Sequence, residues 1–488
     1  MFGSLLNKFM NFTLTQVATA VDGIANKNRM LSNITILNTT YCEVSPSLAK
    51  IIKPMLSYTK VSWVRGPISL RKLRLEEERS VMCRGNSGNY VFPTGLLPKV
   101  TLLLLNRNVS LKIIGEEKKF PYTSPSLNTV ELREEQLRLV YNALNKQRGI
   151  LIAPTGEGKT VIGIAIISAF LVNKDFKALW LCHTKDLLHQ SAKVCENELG
   201  ISPGIMGDSS CDTDRQITMA TRQSFVKYAY DLAHLYDFIL VDEAHHITSF
   251  DSQYGSLLTR ITAPIRIGLT ATLPTQNKEA MLAIEGLLGP VIGEVTTQEG
   301  VEKGTIADIK IRILKAPFLQ RIKDLRKYQD VYYYGVVCGV ERNRMIIEKA
   351  KEHVNKGDSV LILVTQITHG RNLFAECGAQ DVYADFAEGA TKSKERAELK
   401  DALNSKRIKC VIATTIWKEG INLPELNVVI NAAGGKSEIA TIQAIGRGLR
   451  RTTTKKEIIV YDCFDESHRY LTEHFNERMR IYEEMGWL

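Results

Sequence analysis

The stretch Ala153-Pro-Thr155-Gly156-Glu157-Gly158-Lys159-Thr160 sets two glycines, a lysine and a threonine just before a helical run. Glycines let successive backbone N–H groups curl towards an anion, and a helix N-terminus adds the positive end of its dipole. In such a P-loop Thr155, Gly156, Glu157 and Gly158 form the cradle, Lys159 reaches the β- and γ-phosphates, and the Thr160 hydroxyl can ligate Mg²⁺. Alanine at 153 stands where the general pattern has its first glycine. A second chemical signal is Asp242-Glu243, which follows the apolar run Phe238-Ile-Leu-Val241. Two carboxylates at the end of a buried strand are costly unless they meet a cation. Asp242 is expected to hold Mg²⁺ through water, and Glu243 to orient and deprotonate an attacking water. The implied chemistry is hydrolysis of a nucleoside triphosphate, with ATP and Mg²⁺ as the cofactors.

These residues need a scaffold that brings strand ends together. From Gly149 onwards, apolar runs of four to six residues alternate with helical stretches: Gly149–Ala153, Ala178–Cys182, Ile217–Ala220, Phe238–Val241 and Arg266–Leu269. The pattern restarts at Ser359–Val364, Cys410–Ala413, Val428–Asn431 and Ile458–Tyr461. Strands alternating with helices predict α/β domains with parallel sheets covered on both faces. Two such blocks in series predict two domains with a cleft between them. Ahead of them, Ile34–Leu37, Val61–Val64, Asn89–Phe92 and Val109–Ile114 read as strands, and Ser47–Lys53 and Pro98–Leu105 as helices. The Pro- and Ser-bearing stretch Phe120–Asn128 reads as a linker. The expected division is 1–30, an N-terminal tail or helix; 31–125, a small α+β basic domain; 126–305, the first α/β domain; and 306–488, the second.

Charge is distributed unevenly. Residues 1–130 hold 17 lysines and arginines against 7 acidic residues, so this quarter carries the whole formal excess of +10. A localised positive field attracts polyanions. Arg71, Lys72, Arg74 and Arg84 are the candidate contacts, although Glu76, Glu77 and Glu78 interrupt them. Trp63, Tyr90 and Phe92 read either as a stacking wedge or, with more support, as core of a small domain. Nine cysteines are scattered without a CxxC pair, and His245 and His246 are adjacent and expected to diverge, so structural zinc has little support. The cysteines read as buried thiols of a cytoplasmic protein. No apolar run approaches the ~20 residues that span a bilayer, and the mildly apolar start lacks the pattern of a secretory signal. Met10 and Met30 read as candidate alternative starts, which the sequence leaves open.

In order along about 130–465, the chain resembles the superfamily 2 helicases and translocases. Leu132-Arg-Glu-Glu-Gln136 is similar to the upstream glutamine motif, which implies an adenine contact for Gln136. Leu181-Cys-His-Thr184-Lys185 and Ala220-Thr221-Arg222-Gln223 sit where the first domain of that family grips nucleic-acid backbone. Asp242-Glu243-Ala244-His245 is motif II in its DEAH spelling, and Gly268-Leu-Thr270-Ala271-Thr272 resembles motif III, which couples hydrolysis to strand movement. Leu361–Thr365 with His369-Gly370 resembles motif IV; Ala413-Thr414-Thr415 with Glu419-Gly420 resembles motif V; Gln443-Ala-Ile-Gly446-Arg447-Gly448-Leu449-Arg450 resembles motif VI. The resemblance implies two tandem RecA-like domains, Gly420 at the nucleotide, Gln443 in coupling, Arg447 and Arg450 as arginine fingers, and Thr184, Thr221, Arg222, Thr365 and Thr415 against nucleic acid.

About 25 residues follow the strand after motif VI, too few for the C-terminal domains of DEAH-box RNA helicases. The flanking text is similar to phage branch-migration helicases of the UvsW type, in Lys327-Tyr-Gln, Glu341-Arg-Asn343-Arg344, Gly357–Gly370, Lys436 and, before the core, Val91-Phe-Pro-Thr-Gly95-Leu-Leu97. That likeness implies remodelling of branched or forked DNA. The sequence leaves the oligomeric state open, with a monomer favoured, and the expected location is the cytoplasm, that of the host if the chain is phage-encoded. An RNA-stimulated ATPase and a duplex translocase without strand separation stay open.

Overall fold

The computed structural model describes residues 32–65, 72–154, 156–302, 307–388, 391, 393–414, 423, 425–435, 457–484 and 487–488. The expected tail 1–30 and the expected join near 305 lie outside them. One compact unit comprises residues up to Ala153 with Lys159–Glu294; the second comprises Pro154–Gly158 with Val295–Leu488.

The first unit opens with β1 (Ser32–Ile36), β2 (Tyr41–Val44), α1 (Pro46–Ile52), β3 (Ser57–Arg65), β4 (Lys72–Ser80), β5 (Cys83–Arg84), β6 (Tyr90–Pro93), α2 (Leu97–Asn106) and β7 (Leu111–Ile114). Five strands form a sheet in the order β5-β6-β2-β1-β7, while β3 and β4 pair only with each other as an antiparallel ribbon. The stretch read as a basic segment is therefore a strand of this ribbon. In the register of the pair Glu77 lies opposite Lys60, and Arg74 lies opposite Trp63. Phe92 is fully buried in the core under the five-stranded sheet, with Tyr90 packed against that core, so Phe92 is core and not a wedge. The Trp63 side chain lies outside the described residues.

The unit continues through α3 (Glu134–Lys146), β8 (Arg148–Ile152), α4 (Lys159–Phe170), β9 (Ala178–Cys182), α5 (Lys185–Leu199), β10 (Gly204–Gly207), β11 (Ser210–Cys211), β12 (Ile217–Thr221), β13 (Phe238–Asp242), α6 (Gln253–Arg260), β14 (Ile265–Thr270), α7 (Lys278–Leu288) and β15 (Val291–Glu294). These strands form an eight-stranded sheet, order β11-β10-β12-β9-β13-β14-β8-β15, parallel except at the β10–β11 edge. Every residue of β9, β12, β13 and β14 is buried, as a sheet covered on both faces requires.

Residues 116–130 lack regular structure, yet they are strapped to this domain. Phe120 exchanges hydrogen bonds with the Gln147 amide at 2.9 and 2.7 Å, and the Thr123 and Asn128 N–H groups donate to Ala169 and Glu198 carbonyls. The N-terminal sheet domain is joined to the α/β domain more firmly than a linker implies. Leu282 of α7 belongs to the N-terminal core, and Lys99 Nζ meets both Glu285 carboxylate oxygens at 2.7 and 2.5 Å. A Cβ on Gly95 would come within 2.1 Å of the Glu285 carbonyl oxygen, so only glycine permits this approach.

The second unit carries β16 (Asp308–Lys315), α8 (Val340–Lys356), β17 (Val360–Leu363), α9 (Ile367–Ala379), β18 (Asp385–Ala387), α10 (Ser393–Asn404), β19 (Cys410–Ala413), β20 (Val428–Asn431), β21 (Glu457–Phe464) and α11 (Arg469–Glu484). Six parallel strands run in the order β16-β21-β20-β17-β19-β18. Along β17 the side chains alternate between two cores, Leu361 and Leu363 on one face, Val360 and Ile362 on the other. The fold is thus α/β, with two tandem parallel sheets and a small α+β N-terminal domain. Cys83 and Cys211 are exposed, against the expectation of uniformly buried thiols, because both lie on short edge strands. Among the described residues no helix is long and apolar enough to cross a membrane.

Candidate nucleotide-hydrolysis site

In the eight-stranded sheet β14 lies between β8 and β13. All three run parallel, so their C-terminal ends share one edge, where open α/β sheets bind ligands. The expected phosphate loop leaves β8, the acidic pair ends β13, and Thr270 ends β14. Gly156 and Gly158 have φ of +100° and +77°, the left-handed region that glycine enters without penalty. Lys159 is the first residue of α4, and its Nζ donates to the Ala153 carbonyl at 3.3 Å. Thr160 follows it, half-buried, and Glu157 is buried. Thr155 lies outside the described residues.

Asp242 is buried, and its carboxyl is pushed up to about 7, first by burial and then by the charge of Glu243. Lys159 acts in the opposite direction. Glu243 has φ +52°, an uncommon left-handed conformation for a non-glycine residue. Its N–H donates to Asp242 Oδ1 at 3.0 Å, and its Oε2 is buried without a hydrogen-bond partner. An orphaned buried carboxylate oxygen beside a second carboxylate held near neutrality is the arrangement that a bound cation relieves. These residues therefore fit Mg²⁺ and a polyphosphate.

His245 Nδ1 lies 3.0 Å from Thr270 Oγ1 and 3.4 Å from Glu243 Oε2. The Thr270 hydroxyl donates its only proton to the Thr272 carbonyl at 2.7 Å and accepts from Thr272 N–H. Nδ1 of His245 must then carry the hydrogen that Thr270 accepts. The segment expected to couple hydrolysis to movement is thus joined by a side chain to the segment that carries the acidic pair. Gln136 is buried in the first turn of α3, where its Oε1 accepts from Arg133 N–H at 3.0 Å.

His245 and His246 do not diverge. They follow left-handed Glu243 in a 3-10 turn, and their ring centroids are 4.4 Å apart. His246 in turn stacks on His183 at 3.8 Å, with planes 10° apart. Sequence reasoning missed this pairing because nothing in the spacing of residues 183 and 246 signals it.

The expected nucleic-acid residues are distributed as follows. Thr184 caps α5 by accepting from Leu187 N–H, and Thr221, 4% exposed, caps the next turn through Ser224 N–H. Arg222 is half-buried, hydrogen-bonded to Gln253 Oε1. Thr365 is exposed just after β17. Arg74 is exposed and paired with Glu76 at 2.6 Å, and Arg84 is exposed on β5. Lys72 lies in β4, with its side chain outside the described part. Arg71, Thr415, Gly420, Gln443, Arg447 and Arg450 lie outside the described residues.

Two family models match the chain: Type III restriction enzyme, res subunit, over residues 129–275, and Helicase conserved C-terminal domain over residues 342–452. The chain belongs to helicase superfamily 2. This superfamily 2 helicase is 25% identical over 415 residues to ATP-dependent DNA helicase uvsW of Enterobacteria phage T4, covering 76% of this chain and 82% of that protein. It is 27% identical over 375 residues to putative helicase 22 of Sulfolobus islandicus filamentous virus (isolate Iceland/Hveragerdi), covering 71% of this chain and 64% of that protein. Among solved structures, the ATP-dependent Type ISP restriction-modification enzyme LlaBIII bound to DNA matches with a TM-score of 0.56 at 15% identity, covering 79% of this chain and 32% of that one. The fold is that of two-domain RecA-like helicases, and the helicase is ATP-dependent.

Proposed function

We propose that this helicase acts on DNA, and specifically that it remodels branched or forked duplexes such as junctions, D-loops and R-loops. The observation that carries the motor reading is the meeting of Lys159, Asp242 and Glu243 at adjoining ends of one parallel sheet. Choice of DNA is supported by the likeness to a phage DNA helicase over 76% of the chain. It is supported also by the +10 excess carried by residues 1–130. The described part of that segment, from Ser32 to Ile114, forms a domain packed against α7 of the ATPase core, so arms held there would be held by the same body that hydrolyses ATP.

ATP with Mg²⁺ supplies the phosphoryl group and neutralises its charge. Lys159 holds the terminal phosphates, Thr160 and Asp242 hold the metal, and the Thr155–Gly158 backbone cradles phosphate oxygens. Gln136 selects adenine and Gly420 lies at the nucleotide. Glu243 orients the attacking water and takes its proton. Arg447 and Arg450 serve as arginine fingers, a role worth roughly 10³–10⁵ in rate elsewhere. Thr270, Thr272 and Gln443 transmit the change to Thr184, Thr221, Arg222, Thr365 and Thr415 along the nucleic-acid backbone. Arg71, Lys72, Arg74 and Arg84 hold duplex.

The test is steady-state ATPase activity with no nucleic acid, single-stranded DNA, duplex DNA, a four-way junction and single-stranded RNA. Strongest stimulation by the junction or a fork, with strand displacement on the same substrate, supports the proposal. Stimulation by RNA alone would overturn the DNA reading and leave the motor in place.

A further inference from the structure

A line of packed rings runs through the first unit from the hydrolytic carboxylate to the side chain of Arg222. It starts at Glu243 Oε2, 3.4 Å from His245 Nδ1. The His245 and His246 rings are 4.4 Å apart, His246 stacks on His183 at 3.8 Å, and Tyr254 lies beside His183, nearly parallel and offset, with centroids 6.3 Å apart and planes at 20°. Tyr254 is 2% exposed, and the Arg222 guanidinium sits over its ring at 5.4 Å. Arg222 is also tied to Gln253, the residue next to Tyr254. Four different segments contribute: the turn after β13, the end of β9, the start of α6 and the turn after β12. His183 directly precedes Thr184, so of the two segments expected at the nucleic-acid strand Thr184 adjoins the line at its middle and Arg222 ends it.

We propose that His246, His183 and Tyr254 are positioning residues through which a nucleic-acid strand engaged at Thr184 and Arg222 sets the geometry of Glu243. The inference deepens the proposed function and rests on it. Packed aromatic rings are stiff and poorly compressible, so a shift of one is passed to the next. Arg222 responds to a phosphate anion by leaving or tightening on the Tyr254 face, since a cation held over a ring is bound by electrostatics that a nearby anion competes with. At the other end, Glu243 occupies a left-handed backbone conformation, which surrounding structure must maintain. His246 lies three residues beyond it in the same turn, and its N–H donates to the Glu243 carbonyl at 3.0 Å. A displacement of the His246 ring therefore acts on the Glu243 backbone without passing through Thr270. Spatial continuity alone does not establish coupling; a two-state response to both sites does.

The experiment compares His246→Leu, His183→Leu, the double variant, and His246→Phe, which keeps a stackable ring. Each is assayed as the full chain for ATPase kcat without nucleic acid, kcat with saturating single-stranded or junction DNA, and nucleotide-free DNA affinity, with thermal melting as the control for folding. The expected result is basal kcat and DNA affinity within about threefold of the unaltered chain. Stimulation should fall about tenfold in either leucine variant, fall no further in the double variant, and be largely restored in His246→Phe. Full stimulation in the leucine variants, independent multiplying losses, or failure of His246→Phe to do better than His246→Leu would overturn the relay. An unaltered chain that no nucleic acid stimulates would overturn the proposed function and the relay together, a result distinct from normal stimulation that survives ring removal.

Discussion

His245 and Thr270 are joined by a 3.0 Å hydrogen bond between Nδ1 and Oγ1, and both groups are buried. The bond links the turn after β13 to the end of β14, so nothing can displace Thr270 and Thr272 without disturbing the imidazole beside Glu243. Thr270→Val preserves shape and removes the hydroxyl that accepts from Nδ1. ATP hydrolysis should stay within about threefold while strand displacement falls about tenfold or more, because the bond transmits and does not react. Melting should show a loss of about 1–3 kcal/mol, because the buried Nδ1–H is left without its acceptor. Parallel loss of both activities would assign Thr270 to hydrolysis itself.

Lys159 makes a separate case. Its Nζ reaches the Ala153 carbonyl at 3.3 Å, a long and weak bond. Lys159→Ala should remove ATP hydrolysis by at least about 10³-fold and leave the melting temperature within a few degrees. Retained turnover would sink the phosphate-loop assignment.

Asp242 makes the nucleotide-free helicase less stable than it need be. Its folded carboxyl is raised from 3.8 to about 7, by burial foremost. A group raised on folding contributes stability that is fully present below its unfolded value and is lost as pH rises through the folded value. Asp242→Asn, which keeps the shape and never ionises, should therefore match the unaltered protein near pH 4. It should become progressively more stable than that protein towards pH 7 and hold a constant lead above it. The lead is on the order of 1–3 kcal/mol once relaxation and the neighbouring charges are allowed for. Hydrolysis is lost throughout. Thermal melts from pH 4 to 8 without nucleotide check the sign; a lead that shrinks with rising pH would refute it.

Much of this was legible in the sequence because parallel strands buried on both faces have no polar alternation to dilute them. The runs at 178–182, 238–242 and 428–431 became strands within one or two residues of where they were expected. Gly156, Gly158, Asp242 and Glu243 were legible because phosphate cradles and metal-meeting carboxylates need those residue types. Strand β4 was hidden, since Lys72–Ser80 is amphiphilic on both faces and reads as a charge run; only pairing with β3 makes it a strand. The His183–His246 stack and the seat of α7 under the N-terminal domain are non-local, and no periodicity encodes them.

The β3–β4 ribbon carries its positive charge unevenly. Arg74 pairs with Glu76 at 2.6 Å and Arg79 with Glu77 at 2.8 Å; Arg74, Glu76 and Glu77 are exposed and Arg79 is half-buried. Exposed pairs of this kind are worth little for stability, yet each glutamate cancels a charge that a phosphate would otherwise use. Glu76→Gln should tighten duplex binding about two- to threefold at low salt and steepen its salt dependence. Arg84→Ala should weaken binding and lower the slope of log affinity against log salt by up to about 0.9. Titrations at several salt concentrations separate the two. Unchanged affinity in both would move the duplex-binding surface away from the ribbon and β5.

Arg266 holds the N-terminal domain to the ATPase core from inside. Its side chain is fully buried on β14 and donates to the carbonyls of Ala263, Leu258 and Leu287 at 3.0, 3.1 and 3.2 Å, to Ile261, and to Thr40 Oγ1 at 3.5 Å. Arg148, also buried, reaches the Thr39 carbonyl at 2.6 Å and Glu117 at 3.2 Å. The loop between β1 and β2 is thus pinned from below by two arginines. Arg266→Leu fills the volume but leaves several buried carbonyls without a donor, each costing about 1–3 kcal/mol. The first unit should lose about 3 kcal/mol or more, and amide exchange should speed up first around residues 37–41. Arg148→Leu should loosen the same loop but spare β14. Exchange that accelerates equally across the eight-stranded sheet in both variants would show that the arginines support the whole core and not the junction between the domains.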